Sequence, residues 1–258
     1  MKKNWQTLAV VAACLLEAAC QPSRPKAAND EESALREAGY ARAPVITGVS
    51  QSDPGTFVIA GLASQDGRVR VVYQGSRAVG VTADSKGRFR AEVPATAAGG
   101  IYDLSMDDSG RPMHADGRLF IPAGHPEKAV LLRSGSPSLP LVNASAVAVV
   151  DIGGNGGAAV SGRIAQTMAV TLKVGDDVRG QAKSDAKGDY SVTTRIERPT
   201  PTPVMWDFTL DAGGVSVAKS LSVSLPDAAA GDKVTPVDGG WRVDWVLPGG
   251  GVQSSFVY

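Results

Sequence analysis

The chain repeats itself at a spacing close to one hundred residues. From Gly61 it runs through Val69, Val71 and Tyr73 to the turn Asp84 to Gly87, then to Phe89, Ala91 and Val93. Shifted by 101 residues, the same order returns as Gly162, then Val170, Leu172 and Val174, the turn Asp185 to Gly188, and Tyr190, Val192 and Thr194. Further on the offset is 104, aligning Tyr102, Leu104, Met106, Asp107 and Gly110 with Trp206, Phe208, Leu210, Asp211 and Gly214, and Leu119, Ile121 and Pro122 with Val223, Leu225 and Pro226. The three extra residues fall within the link, 94–100 in the first copy and 197–203 in the second, both rich in Pro, Gly or Thr, where a surface loop tolerates a change of length. A period of this size is one domain with its own core, far longer than a solenoid unit. Two like domains in tandem are therefore expected.

Within each copy the apolar residues alternate. Phe89, Ala91 and Val93 are separated by Arg90 and Glu92, Val170, Leu172 and Val174 by Thr171 and Lys173, and Leu221, Val223 and Leu225 by serines. Period two puts one set of side chains in a core and the other in water along a strand, whereas a helix would scatter both around its circumference. The turns Asp84 to Gly87 and Asp185 to Gly188 open on Asp and close on Gly, as a type I turn with a glycine bulge in a hairpin requires. Calcium binding by these aspartates is the sharper alternative, but turn chemistry accounts for both residues without a metal.

After each repeat one more hairpin is expected, over 127–142 and 240–258. In the second, Trp241, Val243 and Trp245 face one way, and the aromatics of this chain end are expected to cap the second core; the alternative is a binding face. The domains are then 45–142 and 143–258, after a segment 1–20 and a linker 21–44. Thirty glycines and sixteen prolines in 258 residues, with 20% charged, agree with many short strands joined by turns.

Residues 1–20 open with Lys2 and Lys3, pass through the apolar run Leu8 to Leu16 and reach Ala18 and Ala19 before Cys20. This is the pattern of a signal peptide, too short to anchor by spanning a bilayer. It resembles bacterial lipoprotein signals, and the resemblance implies lipid on Cys20. Glu17 departs from the apolar residue usual three places before that cysteine. Cys14, preceded by Val11, Ala12 and Ala13, fits this box better but leaves a short apolar core, so it is the alternative. Neither cysteine is followed by Asp, which in such lipoproteins implies the outer membrane. Residues 21–43 are polar, with Pro22, Pro25, Asn29, Asp30, Glu31 and Glu32, and read as a flexible spacer.

Twenty-six basic residues balance twenty-six acidic ones and are scattered, so nucleic acid is not an expected partner. Both cysteines lie in the first twenty residues, leaving no thiol elsewhere for disulfides, soft metals or nucleophilic attack. The two histidines, His114 and His125, sit beside Pro112 and Pro126 without a nucleophile motif, and lack the spacing and the partners of a zinc site. The run Gly153 to Gly157 is followed by a strand pattern rather than a helix that could hold a phosphate, so it reads as a strand connection. Asp107, Asp108 and Asp211 occupy repeated turn positions, an arrangement foreign to a pair of catalytic carboxylates. No enzyme, cofactor or metal is expected.

A Gly-led strand, a Val-x-Val strand and a strand entered through Asp-x-x-Gly-aromatic resemble bacterial Ig-like modules, including carboxypeptidase-regulatory-like repeats, over residues 45–122 and 146–226. The resemblance implies an all-β fold of two tandem Ig-like β-sandwich domains and a non-catalytic role in binding or scaffolding. An envelope protein or polysaccharide is the implied partner, with a passive spacer as the alternative and an uncharacterised envelope enzyme third. The hairpin after each repeat departs from the pattern.

Overall fold

The computed structural model describes residues 41–73, 77–108, 110–142 and 144–258. The signal segment, nearly all of the linker, and both Cys14 and Cys20 lie outside the described residues. From Ala41 to Tyr258 the chain forms one compact unit.

Its first half contains β1 (Val45–Asp53), β2 (Thr56–Leu62), β3 (Arg68–Tyr73), β4 (Arg77–Thr82), β5 (Arg88–Pro94), β6 (Gly100–Asp108), β7 (Arg111–His114), β8 (Arg118–Ile121), β9 (Val130–Leu132) and β10 (Leu139–Pro140). The second half contains β11 (Val149–Gly153), β12 (Gly157–Arg163), β13 (Ala169–Val174), β14 (Asp177–Lys183), β15 (Asp189–Arg195), β16 (Val204–Ala212), β17 (Val215–Val223), β18 (Lys233–Val237), β19 (Gly240–Val246) and β20 (Val252–Val257). Every strand pair is antiparallel.

Each half is an immunoglobulin-like sandwich. In the first, the sheet β1-β2-β5 faces the sheet β10-β9-β8-β6-β3-β4, with β7 also on β6. In the second, β15-β12-β11-β20-β19-β18 faces β14-β13-β16-β17. The repeat is visible in the strands themselves: β2 and β12 start 101 residues apart, as do β3 and β13 and also β5 and β15, while β6 and β16 start 104 apart.

Alternation along the sequence becomes alternation between core and solvent. Phe89, Val170 and Phe208 are 3%, 0% and 2% exposed. In the first core Phe57, Ile59, Ala91 and Val93 meet Val69, Val71, Leu104 and Met106 from the opposite sheet. In the second, Val150, Val160 and Val192 meet Leu172, Trp206, Phe208 and Leu210. Burial of each large side chain contributes about 1.5–3 kcal/mol. Tyr102 lies at the start of β6, and its hydroxyl donates to the carbonyl of Pro94 at the end of β5, pinning the crossing between sheets. Burial pushes this phenol up to about 12. The equivalent position in the second half is Trp206, so that pin exists once.

The glycine leading each repeat is set by close backbone approach. A Cβ at Gly61 would lie 2.4 Å from the carbonyl oxygen of Val45, and one at Gly162 2.2 Å from that of Ala146. Only a residue without a side chain lets the preceding strand or connector lie so near.

The Asp turns have the expected chemistry in a different setting. Asp84 Oδ1 accepts from the amides of Lys86 and Arg88, and Asp185 Oδ1 from those of Lys187 and Asp189. Gly87 and Gly188 take φ of +72° and +86°. However, β4 pairs with β3 and β5 with β2, so the first turn arches from one sheet to the other instead of closing a hairpin; the second does likewise between β14 and β15.

Both extra hairpins form, but on different sheets. β9 and β10 extend the first sandwich beyond β8, whereas β20 and β19 extend the second beyond β11, with β18 added outside them. The run at Gly153 is the tight hairpin between β11 and β12, closed by the Gly156 amide on the Gly153 carbonyl. Among the described residues no helix is long and apolar enough to cross a membrane.

Candidate functional site

The two hairpins meet, and the chemistry of the molecule concentrates where they do. Period-two alternation gives β8, β9, β19 and β20 a second apolar face, pointing away from the core of their own sandwich. These faces form a third buried cluster: Phe120, Val130 and Leu132 from the first half against Ala148, Val149, Val243, Trp245 and Val257 from the second. Trp241, Val243 and Trp245 do share one side of β19, as the sequence indicates. Their target is the first sandwich rather than the second core, which takes Phe256 from the same hairpin instead.

A buried carboxylate ties the same junction together. Asp151 on β11 accepts at Oδ2 from the amide of Ser138, 2.7 Å away in the β9–β10 loop, and at Oδ1 from the hydroxyls of Ser138 (2.8 Å) and Ser255 (2.6 Å) and from Gln253 Nε2 (3.0 Å). Trp245 Nε1 in turn donates to Ser255 Oγ. Burial pushes the Asp151 carboxyl up, against the four donors that pull it down. On the other flank Arg118 forks onto Asp103 of its own sandwich at 2.6 and 2.9 Å and reaches Asp232 of the second half at 2.7 Å. Burial works against its charge, and the two carboxylates outweigh it.

Beside Asp151 a cleft of about 630 Å³ opens between the β9–β10 loop and the outer face of the second sandwich. Its floor is small, with Gly153, Gly157 and Ala159, and Thr193, Gln253 and Arg198 supply polar groups. Asp151 is itself occupied by its four donors, so the cleft presents hydroxyl, amide and guanidinium groups rather than an available base.

A second group lies on the open side of the junction. Lys128, in the short 3-10 helix Pro126–Lys128, sets its ammonium 5.4 Å from the centroid of the Trp241 ring. His125 lies 5.4 Å from the same ring and bonds Glu127 at 2.9 Å. Apart from this group, Lys219 on β17 sets its ammonium 3.7 Å from the centroid of the Tyr258 ring, which packs against the core of the second sandwich.

The sequence-level candidates fall apart in space. His114 is exposed at the end of the short strand β7, opposite Ser105, rather than in a turn. His125 is exposed and belongs with Trp241 and Glu127. Asp107 caps its own turn through the Gly110 amide, Asp108 pairs with Arg111, and Asp211 holds Lys173 at 2.8 Å and accepts from Ser216 Oγ. Among the described residues no group of three or more His, Cys, Asp or Glu side chains is placed to hold a metal ion. Asp151, Lys128 and Lys219 were not singled out by sequence reasoning. Asp151 alone carried a signal: it is an acid inside the otherwise apolar strand run Val147 to Ile152.

No protein-family model and no curated protein matches the sequence. Among solved structures the chain is similar to one described as "Biofilm associated protein - BSP domain", at 15% identity, a TM-score of 0.24, and coverage of 71% of this chain and 29% of that one. The chain thus spans less than a third of that protein's length, and a superposition this loose carries no inference about function.

Proposed function

We propose that this chain is a non-catalytic binding or scaffolding module of the bacterial cell envelope, held to the outer membrane by lipid on Cys20, with Cys14 as the alternative attachment point. The observation that carries this reading is the buried cluster shared by the two sandwiches. It fixes the loops and clefts of both halves in one frame, which a module presenting a composite surface to a partner needs. An envelope polysaccharide or protein is the partner this reading assigns.

Retention of the purified protein on envelope fractions, and a partner captured by crosslinking in intact cells, are the expected results. Absence of both would overturn the binding role. Replacement of either sandwich by an unrelated one without loss of phenotype would favour a passive spacer. Mass spectrometry of the mature N-terminus is expected to find diacylglycerol on Cys20.

A further inference from the structure

The fold does not need the glycines on the floor of the cleft beside Asp151. At Gly61, Gly162 and Gly188 a Cβ would run into a backbone oxygen at 2.4, 2.2 and 2.1 Å. At Gly153 and Gly157 it would meet nothing nearer than the side-chain oxygen of exposed Asn155, at 3.1 and 3.2 Å, and neither glycine takes a positive φ. Glycine weakens a strand, and where neither a clash nor a turn calls for it, it marks a place that another molecule approaches closely. Here it keeps a strip of bare backbone open in a cleft of about 630 Å³, a volume suited to a small ligand.

Unmatched charges of opposite sign flank that strip. On one side the Ile196 amide bonds the Gly156 carbonyl, and a Cβ at Gly156 would lie 3.4 Å from the Arg198 Cα. On the other the Gly154 amide bonds the Val252 carbonyl, and Gly153 stands in register with Gln253. Arg198 lines the cleft, is exposed and, among the described residues, joins no ion pair or hydrogen bond. The Asp151 carboxylate is met by neutral donors alone, from Ser138, Ser255 and Gln253. Gln253 carries its influence to the cleft. The Nε2 of this residue is committed to Asp151, which leaves Oε1 an acceptor without a partner on a residue only 8% exposed. Among the described residues the sealed-in side-chain atoms that lack a partner are Thr96 Oγ1 and Ser161 Oγ, so Gln253 Oε1 opens on the cleft its residue lines. An anion behind an amide polarises it, which strengthens its oxygen as an acceptor and favours a cationic donor in front.

We propose that this cleft binds a short zwitterionic peptide with small side chains, its ammonium donating to Gln253 Oε1 and its carboxylate held by Arg198. The dimensions agree. From β15 to β20 the sheet crosses three strand spacings, about 14 Å. An extended tripeptide spans about 10 Å, which leaves room for the amide and the guanidinium to reach its ends. Gly153, Gly157 and Ala159 leave depth for methyl groups. A polysaccharide fits less well, because among the described residues no aromatic ring lines the cleft for a sugar to lie against. This inference rests on the reading of the chain as a binding module and names the ligand class.

Calorimetric titration of the purified protein with trialanine, N-acetyl-trialanine and trialanine amide tests it. Trialanine is expected to bind, and each capped form, which lacks one charge, at least tenfold more weakly. Arg198→Gln is expected to weaken trialanine at least tenfold and to leave the affinity for trialanine amide unchanged, since that peptide has no carboxylate to lose. Gly157→Val fills the floor and is expected to abolish binding while melting no lower than wild type. Lys187→Met, on the distant Asp185 turn, is expected to bind as wild type does. Failure of the wild type to bind trialanine, capped forms binding as tightly as trialanine, or undiminished affinity in Arg198→Gln would each overturn the proposal. Should Gly157→Val melt lower, the exposed Arg198 decides the matter by itself. Retention on envelope fractions without affinity for trialanine would remove the ligand class alone; absence of both would remove the binding role with it.

Discussion

Asp84 and Asp185 solve one local problem twice, by accepting the amides of a turn whose glycine takes positive φ. At Gly188 a Cβ would lie 2.1 Å from the carbonyl oxygen of Ile164, so Gly188→Ala combines left-handed strain with a backbone clash. A loss of about 2 kcal/mol or more is expected in chemical denaturation. Asp84 adds a pH dependence. Backbone and side-chain hydrogen bonds from Arg88 hold its carboxyl at about 2, below the ordinary 3.8. A lowered native pKa gives stability that is complete above the unfolded value and lost as pH falls through the native one. Asp84→Asn is therefore expected to be less stable than wild type near neutrality and to converge with it as pH drops from 4 towards 2. Asp151 has the opposite sign. Its raised pKa means that its contribution is fullest below the ordinary carboxylate range and declines as pH rises through the raised value. Asp151→Ala strands four donors and is expected to cost about 2–4 kcal/mol. The gap between this variant and wild type should widen in mild acid; a gap that narrows there would reverse the assignment.

At the scale of the strand, what was legible was whatever depends on neighbours along the chain. Arg88–Pro94 alternates without fault, and its pattern alone places Phe89, Ala91 and Val93 inside. The shared side of Trp241, Val243 and Trp245 was equally plain. What they cover was not, because the choice of sheet edge for a hairpin depends on surfaces more than a hundred residues away. The strand β18 shows the same limit: Lys233–Val237 contains Pro236, which argues against a central strand, and its place at the outer edge beside β19 answers that objection only in three dimensions. The candidate site was hidden for a related reason. Gly153 and Gly157 read as a plain strand connection by sequence, and only the pairing of β11 with β20 sets Gly153 beside Gln253.

For the whole molecule, the shared cluster decides how the halves unfold. Phe120, Val149, Val243 and Trp245 are at most 1% exposed, as deep as either sandwich core. Calorimetry of the wild type is accordingly expected to give a single transition for the two sandwiches. Trp245→Ala removes the largest side chain of the junction together with the donor to Ser255 Oγ, and about 3–5 kcal/mol is expected to be lost. The single transition should then separate into two, because each sandwich keeps its own core. Survival of one sharp transition in this variant would mean that cooperativity is carried by the polar contacts around Asp151 and Arg118.

The buried cluster between the halves also bears on heredity. A gene fragment carrying either sandwich by itself would encode a protein with Phe120 and Leu132, or Val149 and Trp245, laid open to water and ready to clump. Recombination can therefore transplant this pair as a couple far more readily than it can deal out its members singly.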